Sequence, residues 1–117
     1  MAGATWKKSP PELVAAFDAL VGRRPDLRPR KMFGYPAAFV DGHLATALHE
    51  DHWVVRLPDD TRAELLAVPG AAAFQPMPGR AMRGYVVLPS PMVGDPEAVD
   101  LWVDRAIAFV RTLPPKG

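Results

Sequence analysis

The chain has 117 residues, a formal net charge of +1 and no cysteine. That length suits one ordinary domain able to bury a core without a staple. The missing cysteines exclude disulfides, thiolate catalysis and Cys-ligated metals, and the near-neutral charge excludes the overall footprint of a non-specific nucleic-acid binder. The N-terminus has no apolar stretch of the signal-peptide kind, and no apolar run approaches a membrane span. The expectation is a soluble, cytoplasmic protein with no membrane role, one domain over residues 1–117 and an ordered core over about 9–113.

Charge is unevenly spread. Residues 1–31 hold seven Lys/Arg against three Asp/Glu, whereas residues 32–117 hold seven against ten. A local basic patch therefore stays open near the N-terminal end.

In chain order, "SPPELVAAFDALVG" predicts the first helix. Ser9 and Glu12 have capping-box spacing, and Pro10 is placed at the first helical position. Leu13, Ala16, Phe17 and Leu20 share a face, and Gly22 is the stop. "RRPDLRPR" follows as a Pro-broken basic connector.

Three strands, "PAAFV", "HLATALH" and "HWVVRLP", are separated by Asp41-Gly42 and Glu50-Asp51. Two-residue loops put residue i opposite i+3. Val40 then faces His43 across the ladder, Phe39 faces Leu44, Leu48 faces Trp53, and Thr46 faces both Ala37 and Val55. Strict alternation sends Ala37, Phe39, Leu44, Thr46, Leu48, Trp53, Val55 and Leu57 to the core. It sends Ala38, Val40, His43, Ala45, Ala47, His49, His52, Val54 and Arg56 to a solvated face.

"DDTRAELLAV" predicts a second helix, capped by Asp59, Asp60 or Thr61 and ended by Pro69-Gly70. "AAFQPM" reads as an edge strand, because Pro76 suits only an edge. Pro78-Gly79 is a turn signal, and "RGYVVLP" is a further strand. The last helix has Asp95 as N-cap, Pro96 at its first position and Pro114-Pro115 after its end. Val99, Trp102, Ala106, Phe109, Val110 and Leu113 give it a broad apolar stripe. The order α-β(3)-α-β(2)-α implies an α+β fold, an antiparallel sheet with helices packed on it.

Chemistry is sparse. His49, His52 and Asp51 could share an ion, whereas His43 lies roughly 20 Å along the strand. Hairpin tips are polar by default, so the reading is a solvated turn and no metal. Ser9 is taken as a cap, and Ser90 has no nucleophile-elbow context. Asp59 and Asp60 suit a helix start, and the glycines form no phosphate loop. "RGYVVLPS" begins like an RNA-recognition strand, then departs from that signature at Val86 and Val87. No catalytic, cofactor-binding or metal residue is assigned.

What remains is a candidate interaction surface of Arg28, Arg30, Lys31, Tyr35, Arg80 and Arg83. These residues flank "KMFGYP" and "PMPGRAMRGY". Phe33 is expected to be buried, and Tyr35 to sit where the first strand begins. Met32, Met77 and Met82 could line an adaptable pocket beneath the two segments.

"RKMFGYPAAFVDGHLATALHEDHWVVRLP" and "AAFQPMPGRAMRGYVVLP" together resemble the N-terminal domain of the TfoX/Sxy family. The matching residues are Lys31, Met32, Phe33 and Gly34, then Phe74, Pro76, Met77, Gly79, Arg80 and Met82. The resemblance implies the same element order and a bacterial cytoplasmic protein with no known catalytic activity and no cofactor. The family's named members regulate competence with a cyclic-AMP receptor-type transcription activator, and the fuller regulators carry a second, C-terminal domain. The expected function is thus a non-enzymatic interaction or regulatory domain with a protein partner, as a monomer or homodimer. Nucleic-acid binding through the basic patch, and a small-molecule site or enzyme, are the alternatives.

Overall fold

A computed structural model describes residues 8–77 and 79–115. The elements run α1 (Pro11–Gly22), β1 (Arg28–Met32), β2 (Tyr35–Val40), β3 (His43–His49), β4 (His52–Arg56), α2 (Asp59–Leu66), β5 (Ala72–Ala73), β6 (Tyr85–Val87), α3 (Ser90–Val93) and α4 (Pro96–Val110). The strands form one antiparallel sheet in the order β1-β2-β3-β4-β6-β5. Helices pack on it, so the class is α+β. Among the described residues no helix is long and apolar enough to cross a membrane.

Two elements exceed the expected order. The basic connector contains strand β1, which pairs with β2 from Arg28↔Phe39 to Met32↔Tyr35. Its sequence hides it: four of its five residues are exposed, and Pro29 breaks the strand pattern. Pro is admissible there because β1 is an edge strand, with unpaired donors on one side. The second addition, α3, is a single turn of helix before Gly94.

The predicted capping box of α1 does not form. Pro10 is the N-cap and makes no side-chain cap bond, and Ser9 Oγ is buried without a hydrogen-bond partner among the described residues. Helix α2 likewise starts at an uncapped Pro58. The cap of α4 is as expected: Asp95 accepts from the backbone N–H groups of Glu97 and Ala98. Asp95→Ala should therefore cost about 1 kcal/mol in urea denaturation; a change indistinguishable from zero would show the cap to be idle. The Pro78-Gly79 turn lies partly outside the described residues; Gly79 takes φ +76°.

Both hairpin registers are as expected at their tips, with Val40↔His43, Phe39↔Leu44, Leu48↔Trp53 and His49↔His52. Between them the regular ladder is interrupted. The pairing steps from Phe39↔Leu44 to Ala38↔Thr46, so Ala45 is an extra residue in β3. This is a β-bulge, where two residues oppose one and strict alternation fails. Thr46 therefore opposes Ala38, not Ala37.

The bulge reassigns half of the two faces. Ala38, Val40 and Ala45 join Leu48, Trp53, Val55 and Leu57 in the main core. Ala37, Phe39 and Leu44 belong instead to a small second cluster with Ala47, Met32 and Tyr85. His43, expected on the solvated face, is buried, with Nε2 2.6 Å from the carbonyl of Pro114. The main core is closed by Leu13, Phe17 and Leu20 of α1 and by Val99, Trp102, Val103, Ala106, Ile107 and Val110 of α4.

A buried polar chain runs through this core. Trp53 Nε1–H donates to Thr46 Oγ1 at 2.8 Å, and the Thr46 hydroxyl donates to the carbonyl of Val54 at 2.7 Å. Each polar atom that the indole and the hydroxyl bring inside is thereby satisfied. The Phe17 ring packs on the indole at 5.2 Å between centroids.

Candidate functional site

The two sequence segments meet beside the β3–β4 hairpin, where Tyr35, buried at the margin of the main core, borders both. The first enters through the β1–β2 hairpin. Phe33 (φ 56°) and Gly34 (φ 81°) are its two central residues. Positive φ at both is the signature of a type I′ turn. Gly takes this backbone freely, but a bulky Phe in it is an outlier worth about 1–2 kcal/mol. The expectation of a buried Phe33 fails: its side chain is 54% exposed at the hairpin tip.

The second segment, between β5 and β6, is tied down by backbone bonds. Phe74 N–H donates to the carbonyl of Tyr85 at 3.1 Å, and Met82 N–H to that of Phe74 at 2.8 Å. Between them Arg80 N–H donates to the Met77 carbonyl at 2.9 Å, closing a tight turn.

Between the two lies a cleft of about 610 Å3, bounded by Phe33 and Tyr35, by His49 and Glu50 of the β3–β4 hairpin, and by Met77, Arg80 and Met82. That size is in the range of small-ligand and side-chain pockets. Met77 is 55% exposed, so two large apolar side chains are presented together. The anticipated methionine lining holds for Met77 and Met82; Met32 packs instead in the second cluster.

His49 is the hub of the cleft wall. Its ring meets those of Tyr35 at 5.0 Å, Phe74 at 5.2 Å and Phe33 at 6.2 Å. Burial lowers its pKa below the ordinary histidine value; Glu50 opposes that shift and His52 adds to it. His49 and Glu50 were not foreseen as cleft residues, because their place depends on a loop some thirty positions away folding over them. The one available signal was Phe33-Gly34, a turn pair recognisable only once β1 is known to be a strand.

The six sequence-designated residues do not share one depression. Tyr35 and Arg80 line the cleft. Arg30 and Lys31 line a shallower one with Val14 and Phe17. Arg83 lines a third, beside Arg56, Asp59 and Arg62. Arg28 lies on the edge strand opposite Phe39, over whose ring the Arg30 guanidinium sits at 5.8 Å.

The basic candidates stand outside the ion pairs, as Lys8 and Arg56 also do among the described residues. Arg23 and Arg24 pair with Asp100, Arg24 also with Asp104, Arg62 with Asp59, Arg105 with Glu64 and Arg111 with Asp26. Arg28, Arg30, Lys31, Arg80 and Arg83 are in no ion pair among the described residues. The cations around the helices are neutralised in place, while those of the edge strand and the 80–83 turn are left for solvent or a ligand.

The family model of the TfoX N-terminal domain matches residues 19–110, spanning both segments and all six strands. No curated protein and no solved structure matches the chain.

Proposed function

The chain belongs to the TfoX N-terminal domain family, and from that premise we propose that it is a non-enzymatic, regulatory interaction domain of the bacterial cytoplasm. Its docking site is the cleft at the β1–β2 hairpin, and its ligand a partner-protein segment with an aromatic or long aliphatic anchor beside an acidic residue. The observation that carries this reading is Phe33, held exposed in a left-handed backbone at the cleft mouth. Strain of this kind persists where the displayed side chain has a use. Met77 supplies the adjoining apolar surface, and Arg80 the charge that an acidic group would neutralise. Apolar anchors ringed by single charges are the usual make-up of a recognition surface.

Selection of a displayed peptide library on the full chain tests the proposal, with Phe33→Asn and Arg80→Glu as counter-targets. Enriched peptides should carry the anchor and the acid, and should bind both variants at least roughly tenfold more weakly. Peptides that bind wild type and variants alike would sink it, as would no enrichment at all. The same Phe33→Asn variant should be as stable as the parent or up to about 1 kcal/mol more so, because Asn-Gly is the favoured type I′ pair. Loss of binding with retained stability separates a displayed side chain from a structural one.

The cleft volume also favours a second reading, a small-molecule site. A thermal-shift screen of metabolites distinguishes it: a hit that Arg80→Glu or Phe33→Asn abolishes would replace the peptide by a small ligand.

A further inference from the structure

The β3–β4 hairpin reads His49-Glu50-Asp51-His52. Its two-residue loop makes His49 and His52 direct cross-strand partners. Glu50 takes φ 55°, and from that backbone its carboxylate stands beside both imidazoles. One nitrogen from each histidine and one Glu50 oxygen all lie within 4.8 Å of one another. We propose that His49, Glu50 and His52 form a surface site for a borderline divalent cation, Zn2+ in the first place, with three protein ligands and an open fourth position.

The donor set selects the ion. Two imidazoles and one carboxylate suit Zn2+ and its neighbours, whereas Mg2+ and Ca2+ prefer all-oxygen shells. The geometry is nearly assembled. A tetrahedron with ~2 Å bonds has edges of roughly 3.3 Å, so rotation of the half-buried Glu50 and the more exposed His52 side chains closes the shell.

His49 is not a mobile tip residue. The rings of Tyr35, Phe74 and Phe33 surround it and fix its plane before any ion arrives. His52 has an orienting partner as well. Asp51 Oδ1 lies 3.5 Å from His52 Nε2, a carboxylate neighbour of the kind that steadies a ligating imidazole. The sequence offered Asp51 as the third ligand; the structure gives that place to Glu50 and puts Asp51 behind His52.

His49 and Glu50 line both the cleft and the depression beside it. The open coordination position therefore lies at the lip the two share, where a donor from an incoming molecule can complete the shell. This inference does not depend on a peptide occupying the cleft.

Isothermal titration of the chelator-treated full chain with ZnCl2 tests it. Saturable binding at one ion per chain is expected, and His52→Gln should weaken it by roughly tenfold or more. Nitrogen-15 spectra of the imidazoles should show His49 and His52 shifting with Zn2+ while His43 does not. No saturation by about 1 mM Zn2+ would overturn the site. So would equal binding by the His52→Gln variant, or a shift of His43 in place of the hairpin pair. His52 is a partly exposed hairpin residue, its side chain 44% accessible, so its variant should fold; Glu50→Gln, expected to weaken binding less, gives a second measurement.

Discussion

Trp53→Ala is expected to cost about 3–5 kcal/mol, the range for deleting a fully buried aromatic side chain. A domain of this size has about 5–15 kcal/mol in all, so the variant should sit near the edge of folding at room temperature. Urea denaturation followed by far-ultraviolet circular dichroism measures it. Trp53 is 1% exposed between α1 and the sheet, and its indole is the donor that gives Thr46 a reason to be inside.

The pair makes the prediction specific. Thr46→Val alone strands the indole N–H without an acceptor and should cost about 1–3 kcal/mol. In a Trp53→Phe background no donor is left to strand, and the same change should come at least about 1 kcal/mol cheaper. Equal costs in both backgrounds would mean that the hydroxyl matters only for its bond to the Val54 carbonyl.

What the sequence disclosed divides along physical lines. Features set by a few adjacent residues were legible. Asp95-Pro96-Glu97 starts α4 because a carboxylate and a fixed φ act within one turn. Asp41-Gly42 and Glu50-Asp51 set their hairpins because a two-residue loop admits few registers. Features decided by competition across the fold were not. Ser9 and Glu12 have the spacing of a cap, yet α1 starts one residue later, at Pro11. Arg28–Met32 has no apolar alternation, because an edge strand with solvent on its outer side needs none.

The candidate cleft was half legible for the same reason. The sequence marked Tyr35, Arg80, Met77 and Met82 as residues of two suggestive segments, and the cleft brings these four together. It could not mark His49 and Glu50, which reach the cleft only because the loop carrying Met77 and Met82 folds over their hairpin. Nor could it show that Arg83 faces a different depression, since three residues of a turn suffice to redirect a side chain.

The bulge at Ala45 is the deepest of these departures, and it gives the sharpest test. "HLATALH" alternates Leu44, Thr46 and Leu48 without interruption, so the local pattern argues for a regular strand with Phe39 in the core. The extra residue instead leaves Leu44 on one face and Leu48 on the other. The reason lies in β1. Arg28 and Arg30 pair with Phe39 and Ala37 and share their face. A regular β3 would turn that face inward and carry two guanidiniums into the core, at a cost no aromatic burial offsets.

Ala38→Asp is therefore expected to unfold the chain or cost more than about 4 kcal/mol, because it drives a carboxylate into a site with no exposure. Phe39→Asp, one residue on, should cost only about 1–2 kcal/mol. It gives up a half-buried ring, and its carboxylate gains Arg28 and Arg30 as neighbours. A regular strand predicts the reverse order, so the ranking of the two urea midpoints decides the register. Deleting Ala45 should be tolerated at about 1–3 kcal/mol, since the ladder then runs from Phe39↔Leu44 to Ala38↔Thr46 without a step and both faces are kept. Collapse of that variant would mean that the bulge also sets the twist on which α4 is seated.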